Sequence, residues 1–212
     1  MIDPQDITGL VLAGGLGSRM GGVDKGLQPF CGQPLALHAL RRLQPQVGVT
    51  RLNANRNLGV YAAFGAPVWP DGLADFPGPL AGFLTGLQQC ETEWLLTVPC
   101  DSPLFPHDLA QRLAQAAHTA QADIAVAAAP ETADATGITV LRRQPVFCLM
   151  RTRLQGSLHA YLHEGGRKIG TWLARHTCTV AAFNQPGDDM LAFATANTLA
   201  ELHRLEHGVS SP

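Results

Sequence analysis

The sequence has little excess of either charge. Its 212 residues carry 15 lysine and arginine side chains against 17 acidic ones, which gives a formal net charge of −2. Proteins that hold nucleic acid or an anionic membrane by charge present a basic surface, and this composition does not supply one. We therefore expect no nucleic acid and no membrane among the partners, and any phosphate binding must come from a local group of residues.

Cysteine pairs and long apolar runs are also missing. The five cysteines are widely separated and form no Cys-x-x-Cys pair, which argues against a zinc site or a redox motif. No apolar run approaches the length of a membrane span, and the first residues lack the positive region of a secretory signal. These observations favour reduced thiols and a soluble chain in the cytoplasm.

The histidines do not indicate a metal site. His159 and His163, like His203 and His207, are spaced by four residues on predicted helices. Neither pair has an evident third ligand, although tetrahedral metal sites need three or four. We expect these histidines at the surface.

Two common phosphate-binding motifs fail on their spacing. A glycine-rich run between Leu12 and Lys25 follows an apolar segment. The dinucleotide fingerprint needs a glycine where Met20 stands, and the Walker A loop needs Lys-Ser or Lys-Thr where Val23 follows the last glycine pair. The run nevertheless has the composition of a phosphate cradle, because its glycines allow close backbone approach and Arg19 and Lys25 supply charge.

Short apolar segments alternate with amphipathic helical patterns, which is typical of an α/β protein. The predicted strands are residues 7–13, 49–53, 67–69, 94–98, 124–129 and 146–150. The predicted helices lie at 35–43, 80–87, 109–117, 154–163 and 169–174. Residues 136–183 are less regular, and we expect an insertion there for a second substrate.

Polar residues follow three of the predicted strands. In open parallel sheets ligands bind beyond the carboxyl ends of strands, which is where Asn53, Asp71 and Asp101 stand. A carboxylate at Asp71 can accept hydrogen bonds from guanine N1–H and N2–H, and one at Asp101 can bind Mg²⁺ beside phosphate oxygens. Asn53 and Asp71 are also common turn residues, and Asp101 is an alternative cap for a helix near Pro106.

The glycine-rich run resembles the signature of the nucleotidyltransferases that activate sugars and cofactors. In that signature Leu-Ala-Gly-Gly is followed by Arg-Met-Gly and Asp-Lys, which here are residues 12–15, 19–21 and 24–25. With the Pro-Gly-Pro-Leu-Ala-Gly stretch at 77–82, these motifs resemble those of the molybdenum cofactor guanylyltransferases. Relatives that transfer a cytidylyl group tend to carry Leu-Ala-Ala-Gly, so by resemblance Gly14 favours guanine.

The resemblance implies a three-layer Rossmann-like nucleotidyltransferase fold, with a mostly parallel sheet and helices on both faces. By resemblance, the residues that bind GTP are Leu12, Ala13, Gly14, Gly15, Arg19, Lys25, Asn53, Asp71 and Asp101. Arg19, Lys25 and Asp101 are then the catalytic residues, and Asp101 holds Mg²⁺, the expected cofactor.

The resemblance also implies an acceptor side. Arg167 and Lys168 follow a Gly-Gly turn where the family binds the phosphate end of its pterin substrate. The family carries two asparagines one residue apart near the C-terminus. Here Thr195 replaces the first, and Asn197 is the remaining candidate. A helix N-cap is the alternative role for Asn197.

The implied reaction transfers GMP from GTP to molybdenum-molybdopterin, forms the molybdopterin guanine dinucleotide cofactor and releases pyrophosphate. Proteins that deliver molybdopterin and chaperones of molybdoenzymes are the expected protein partners. Alternatives of the same fold are a CTP-using cofactor cytidylyltransferase and a sugar-1-phosphate nucleotidyltransferase. A non-catalytic GTP-binding module and a nicotinamide oxidoreductase are the alternatives from other classes, and the two failed motifs argue against them.

No composition break divides the chain, and its length suits one well-packed core. We expect a single domain over residues 1–207, with a nucleotide-binding half at about 1–105 and an acceptor-binding half at about 106–207. Thr198 and Glu201 form a capping-box pattern that predicts a C-terminal helix. Residues 208–212 are expected to form a disordered tail.

Overall fold

The computed structural model describes residues 1–15, 23–72, 78–132 and 139–209. The strands are β1 (Ile7–Leu12), β2 (Pro29–Phe30), β3 (Gln33–Pro34), β4 (Val49–Asn53), β5 (Val68–Trp69), β6 (Trp94–Pro99), β7 (Ile124–Thr132), β8 (Thr139–Arg151) and β9 (Cys178–Ala182). The α-helices are α1 (Leu35–Leu43), α2 (Leu58–Ala62), α3 (Pro79–Gln89), α4 (Leu109–Thr119), α5 (Gln155–His163), α6 (Ile169–Leu173) and α7 (Leu199–Val209). Every strand and helix predicted from the sequence is present, and β2, β3, β9 and α2 are additional.

Seven strands form one sheet in the order β5-β4-β1-β6-β8-β7-β9. Strands β5, β4, β1 and β6 are parallel, β7 is parallel to β9, and β8 runs antiparallel to both of its neighbours. The direction of β8 follows from its pairing with β7, the strand that precedes it in the chain. The expected mostly parallel sheet is confirmed.

Strand β8 corrects the expectation of an insertion at residues 136–183. It lies inside the sheet, between β6 and β7, and Phe147 to Met150 are buried. The apolar pattern predicted only its second half because residues 139–143 are exposed. The register shifts between Val126, opposite Cys148, and Ala127, opposite Gln144. This irregularity separates the exposed and buried parts of the strand.

Helices cover both faces of the sheet. Most buried residues of α1 and those of α4 lie in one apolar cluster, and most buried apolar residues of α3, α5 and α6 lie in another. Neighbouring residues of β1 point to opposite faces, so Val11 joins the first cluster and Leu10 the second. The three-layer architecture is confirmed.

Helix α7 packs against the β2–β3 hairpin. The small cluster between them consists of Phe30, Leu35, Ala196, Leu202 and Leu205. The Glu201 carboxylate accepts hydrogen bonds from the backbone N–H groups of Asn197 and Thr198 at 2.8 and 2.9 Å, so the predicted capping box is present. Because this cap and the buried leucines anchor the helix, it continues to Val209, into the segment expected to be a tail. Residues 210–212 lie outside the described part.

The register of the sheet brings the predicted site residues to one edge. Leu12, at the end of β1, pairs with Asn53 of β4 and with Pro99 of β6. The chain reaches Asp101 two residues after β6, and Asp71 two residues after β5. Because parallel strands end at the same edge, these side chains share one region.

Candidate active site

A lysine joins two distant chain segments at this edge. The Lys25 Nζ ammonium donates hydrogen bonds to Asp101 Oδ2 and to Asn197 Oδ1, each at 2.9 Å. Side-chain exposure is 19% for Lys25 and 20% for Asp101, so both remain accessible to a ligand. We refer to Lys25, Asp101 and Asn197 as the cation cluster.

Backbone contacts hold Asp101 in the cation cluster. The Cys100 N–H donates to the Leu12 carbonyl at 3.1 Å, and the Ala196 N–H donates to the Asp101 carbonyl at 2.9 Å. Asp101 does not cap α4, because that helix begins directly after Asp108. Burial raises the pKa of the neighbouring Cys100 thiol, which therefore stays protonated and is a poor nucleophile.

Asn197 contributes its side chain to the cation cluster and does not cap α7. The Thr198 hydroxyl accepts the Glu201 N–H at 3.2 Å and supplies the cap. Thr195, which replaces the asparagine expected from the family pattern, is exposed, and its hydroxyl lies 3.2 Å from Ser102 Oγ. This pair connects the segment before α7 to the segment after β6.

The Asp71 carboxylate accepts hydrogen bonds from side chains of neighbouring segments. Asn53 Nδ2 donates to Oδ1 at 2.8 Å, and Asn55 Nδ2 donates to Oδ2 at 2.8 Å. The Asp71 N–H donates in return to Asn55 Oδ1 at 2.8 Å, and Thr85 Oγ1 lies 3.3 Å from Asp71 Oδ1. Thr85 was not predicted as a site residue. Thr85 is a polar residue on the otherwise apolar buried face of α3, which is the signal that could have found it.

Close packing explains the glycine at position 14. A Cβ atom there would lie 2.9 Å from Asn55 Nδ2 and 3.1 Å from Asn53 Oδ1. The Ala13 N–H also donates to the Asn53 carbonyl at 2.8 Å. The start of the glycine-rich run therefore packs on the amides that hold Asp71, and an alanine at position 14 would force Asn55 to move.

The two cations predicted for the acceptor lie in the loop between α5 and α6. Arg167 Nη1 donates to the carbonyls of Leu162 and Gly166 at 3.0 and 2.7 Å, and the Lys168 carbonyl accepts from Tyr161 Oη at 3.0 Å. These contacts close the end of α5. The structure does not bring Arg167 or Lys168 into the cation cluster.

The remaining predictions fall outside this site. Arg19 lies outside the described residues. The rings of His159 and His163 are exposed and in contact, with 3.1 Å between their Nε2 atoms. Among the residues that the structure describes, no three His, Cys, Asp or Glu side chains form a group that could hold a metal ion. In the same residues, no helix is long and apolar enough to cross a membrane.

Comparison with known proteins identifies the family. Residues 9–180 match the model of the MobA-like NTP transferase domain. The chain belongs to the MobA-like NTP transferase family. A molybdenum cofactor guanylyltransferase from Acidovorax ebreus (strain TPSY) is 68% identical over 206 residues, which are 97% of this chain and 98% of the relative. As a MobA-like NTP transferase the chain is a nucleotidyltransferase, which confirms the resemblance seen in the motifs.

Two solved structures share the fold. Molybdopterin-guanine dinucleotide biosynthesis protein A from Archaeoglobus fulgidus has a TM-score of 0.76 at 20% identity and covers 96% of this chain and 98% of its own. A 4-diphosphocytidyl-2C-methyl-D-erythritolsynthase from Anaerococcus prevotii DSM 20548 has a TM-score of 0.74 at 12% identity, and the match covers 99% of this chain and 100% of that protein. At these identities the likeness shows the fold alone.

Proposed function

We propose that this MobA-like NTP transferase transfers GMP from GTP to molybdenum-molybdopterin, which releases pyrophosphate and forms the molybdopterin guanine dinucleotide cofactor. The observation that carries the proposal is the cation cluster, in which two hard oxygen ligands converge on the ammonium of the lysine that ends the glycine-rich run. The identity of 68% to a molybdenum cofactor guanylyltransferase over nearly the whole chain supports it.

The cation cluster suits a magnesium ion. Asp101 and Asn197 present a carboxylate and an amide oxygen, and both oxygens accept hydrogen bonds from the Lys25 ammonium. Mg²⁺ binds few protein oxygens and takes its other ligands from water and phosphates. We assign Asp101 as its protein ligand, with Asn197 beside it. When bound, the ion neutralises charge on the triphosphate.

Lys25 and Arg19 then bind the triphosphate. An ammonium released from Asp101 can donate to several phosphate oxygens, and a guanidinium binds them as a planar fork. The acceptor nucleophile is a phosphate oxygen that is already ionised near neutral pH, so the reaction needs no general base. The protein has to align this oxygen with the α-phosphorus and stabilise charge on the leaving pyrophosphate.

Asp71 reads the base in this proposal. Asn53 and Asn55 each direct one amide N–H at one of its carboxylate oxygens, so both oxygens are fixed as acceptors. A carboxylate has about four acceptor sites. The two amides use two of them, and the N1–H and N2–H donors of guanine take the other two when the weaker contact from Thr85 Oγ1 is released. Cytosine and adenine lack this pair of donors.

The acceptor side rests on Arg167 and Lys168, whose charges suit the phosphate end of the pterin, together with Asn197. The proposed partners are GTP, molybdenum-molybdopterin, proteins that deliver molybdopterin and chaperones of molybdoenzymes. We propose no nucleic acid or membrane partner, and we place the reaction in the cytoplasm.

The test uses purified protein, α-labelled GTP and Mg²⁺, with molybdopterin in the presence and absence of molybdenum. We expect label in a pterin dinucleotide and one pyrophosphate per product. Parallel reactions with CTP, and with a sugar 1-phosphate as acceptor, separate the alternatives of the same fold. GTP binding without pyrophosphate release that depends on the acceptor would instead indicate a non-catalytic GTP-binding module.

A further inference from the structure

We propose that Tyr61 and Asn57 are positioning residues for the Lys25 ammonium and act through the carboxylate of Asp24. The inference rests on the role proposed above for Lys25 in binding the triphosphate. Asp24 precedes Lys25 in the Asp-Lys motif, whereas Tyr61 and Asn57 belong to α2 and the residue before it. The position of the Asp-Lys motif therefore depends on a helix that lies outside the motif.

The Asp24 carboxylate is buried, and each of its oxygens has a side-chain donor. The residue is 9% exposed. Tyr61 Oη donates to Oδ1 at 2.6 Å, and Asn57 Nδ2 donates to Oδ2 at 2.9 Å. Burial of a carboxylate is unfavourable unless donors replace its water. The orientation of Asp24 is therefore determined by these two residues.

The backbone at α2 directs both donors to the same point. Asn57 stands directly before the helix, and Tyr61 follows four residues later, about one turn further on. Asn57 adopts a left-handed conformation with φ of 51°, which asparagine tolerates better than most residues. Burial and the hydrogen bond to Asp24 raise the pKa of the Tyr61 hydroxyl, so it remains a donor across the ordinary pH range.

The turn that carries Lys25 packs against the Tyr61 hydroxyl. The Leu27 N–H donates to the Asp24 carbonyl at 3.2 Å and closes a single turn around Lys25. A Cβ atom at Gly26 would lie 2.3 Å from Tyr61 Oη, so no larger residue fits there without moving the tyrosine. The backbone of Lys25 is thus held on both sides, by Asp24 and by Gly26.

We relate the hydrogen bonds of Asp24 to the position of the Lys25 ammonium more than to the stability of the fold. A neutral or apolar residue could fill the position of Asp24 without the need for two donors, because buried charges contribute little net stability. A fixed network of buried polar groups instead defines one geometry. For a charged group that meets a phosphate, a misplacement of about 1 Å weakens the interaction strongly.

A double-mutant cycle on GTP binding tests the proposal. The dissociation constant for GTP with Mg²⁺ and no acceptor is measured by equilibrium dialysis for the wild type, Tyr61→Phe, Lys25→Met and the double variant. We expect Tyr61→Phe to weaken GTP binding about fivefold to tenfold in the wild-type background. In the Lys25→Met background the same change should weaken binding less than about twofold, because the hydroxyl acts through the ammonium.

Thr8→Val is the matched control. Thr8 is buried at the opposite end of β1, and its hydroxyl lies 2.8 Å from Thr92 Oγ1. Its removal should lower stability without changing the GTP dissociation constant. Unchanged GTP binding in Tyr61→Phe, or an equal loss in both backgrounds, would overturn the proposal. A wild type that does not bind GTP would contradict the proposed function itself.

Asn57→Gly provides a second route if Tyr61→Phe does not fold. Glycine keeps the left-handed backbone and removes the donor to Asp24. Asn57 is exposed, so the change removes little packing. We expect GTP binding to weaken about threefold, again only when Lys25 is present. An unchanged dissociation constant, or a loss that persists in the Lys25→Met background, would contradict the role of Asn57.

Discussion

The proposed nucleotide side and the loop of Arg167 and Lys168, which we propose for the acceptor, are organised differently. On the nucleotide side Asp71 and Asp24 accept hydrogen bonds from side chains on other segments, and Asp101 pairs with Lys25, 76 residues away in the sequence. On the acceptor side Arg167 donates to carbonyls one and five residues away. The first region is preformed by long-range contacts, whereas the second is a local loop.

Asp101→Asn should have the largest effect on this comparison. The change keeps the shape of the side chain and removes the charge that would hold Mg²⁺. We expect kcat/KM to fall about a hundredfold or more, comparable to the loss of one preorganised charge contact. The measurement is pyrophosphate release at saturating Mg²⁺. Asp108→Asn, at the exposed start of α4, is the control. Turnover of Asp101→Asn within about twofold of the wild type would contradict the assignment of Asp101 as the metal ligand.

Asp71→Asn should have the next largest effect. The amide NH₂ group takes the place of a carboxylate oxygen that accepts hydrogen bonds. Guanine therefore loses one acceptor and faces a donor that has no partner. We expect kcat/KM for GTP to fall about thirtyfold, whereas turnover with CTP changes little. Thr85→Val, which removes a weaker contact to Asp71, should lower the GTP value less than about threefold. A parallel loss with both nucleotides would show that Asp71 does not read the base.

Lys168→Met should affect only the acceptor. The change removes a charge from the loop after α5 and keeps the length of the side chain. We expect the KM for molybdopterin to rise about fivefold while the KM for GTP stays constant. Steady-state kinetics with each substrate varied in turn provide the measurement. A larger rise in the KM for GTP than in the KM for molybdopterin would contradict the assignment of Lys168 to the acceptor side.

Asp188→Asn should affect stability and leave catalysis unchanged. Asp188 accepts from Arg112 Nη1 at 2.7 Å, and this hydrogen bond holds the pKa of the Asp188 carboxyl below its ordinary value. The unfolded chain binds the proton at higher pH, so the contribution is present above the ordinary carboxyl pKa and disappears as pH falls through the folded pKa.

Near neutral pH we expect the Asp188→Asn variant to lose about 1 kcal/mol in its free energy of unfolding. Because the variant lacks the titrating group, this difference from the wild type should shrink on acidification. Urea unfolding at neutral and acidic pH measures both quantities. A constant difference at every pH would show that the ion pair is not the cause.

The shared location of some residues of the proposed nucleotide side could be predicted from sequence because they follow apolar strands. Asn53 and Asp101 stand at or just after segments whose pattern is unambiguous, and the rule for parallel strand ends places them together. Thr85 and Tyr61 could not be found in this way. Their roles depend on hydrogen bonds across 14 and 37 residues of sequence, and no local pattern encodes such contacts.

The sequence by itself determined the α/β class, the positions of most strands and helices, the glycine-rich run and the resemblance to a nucleotidyltransferase family. These follow from hydrophobic periodicity and short motifs, which are local properties of the chain. Only the tertiary structure decided that β8 lies within the sheet, that Asn197 meets Lys25, and that Tyr61 holds Asp24. Such pairings depend on register and packing between distant segments, which contribute to the free energy only after the chain has folded.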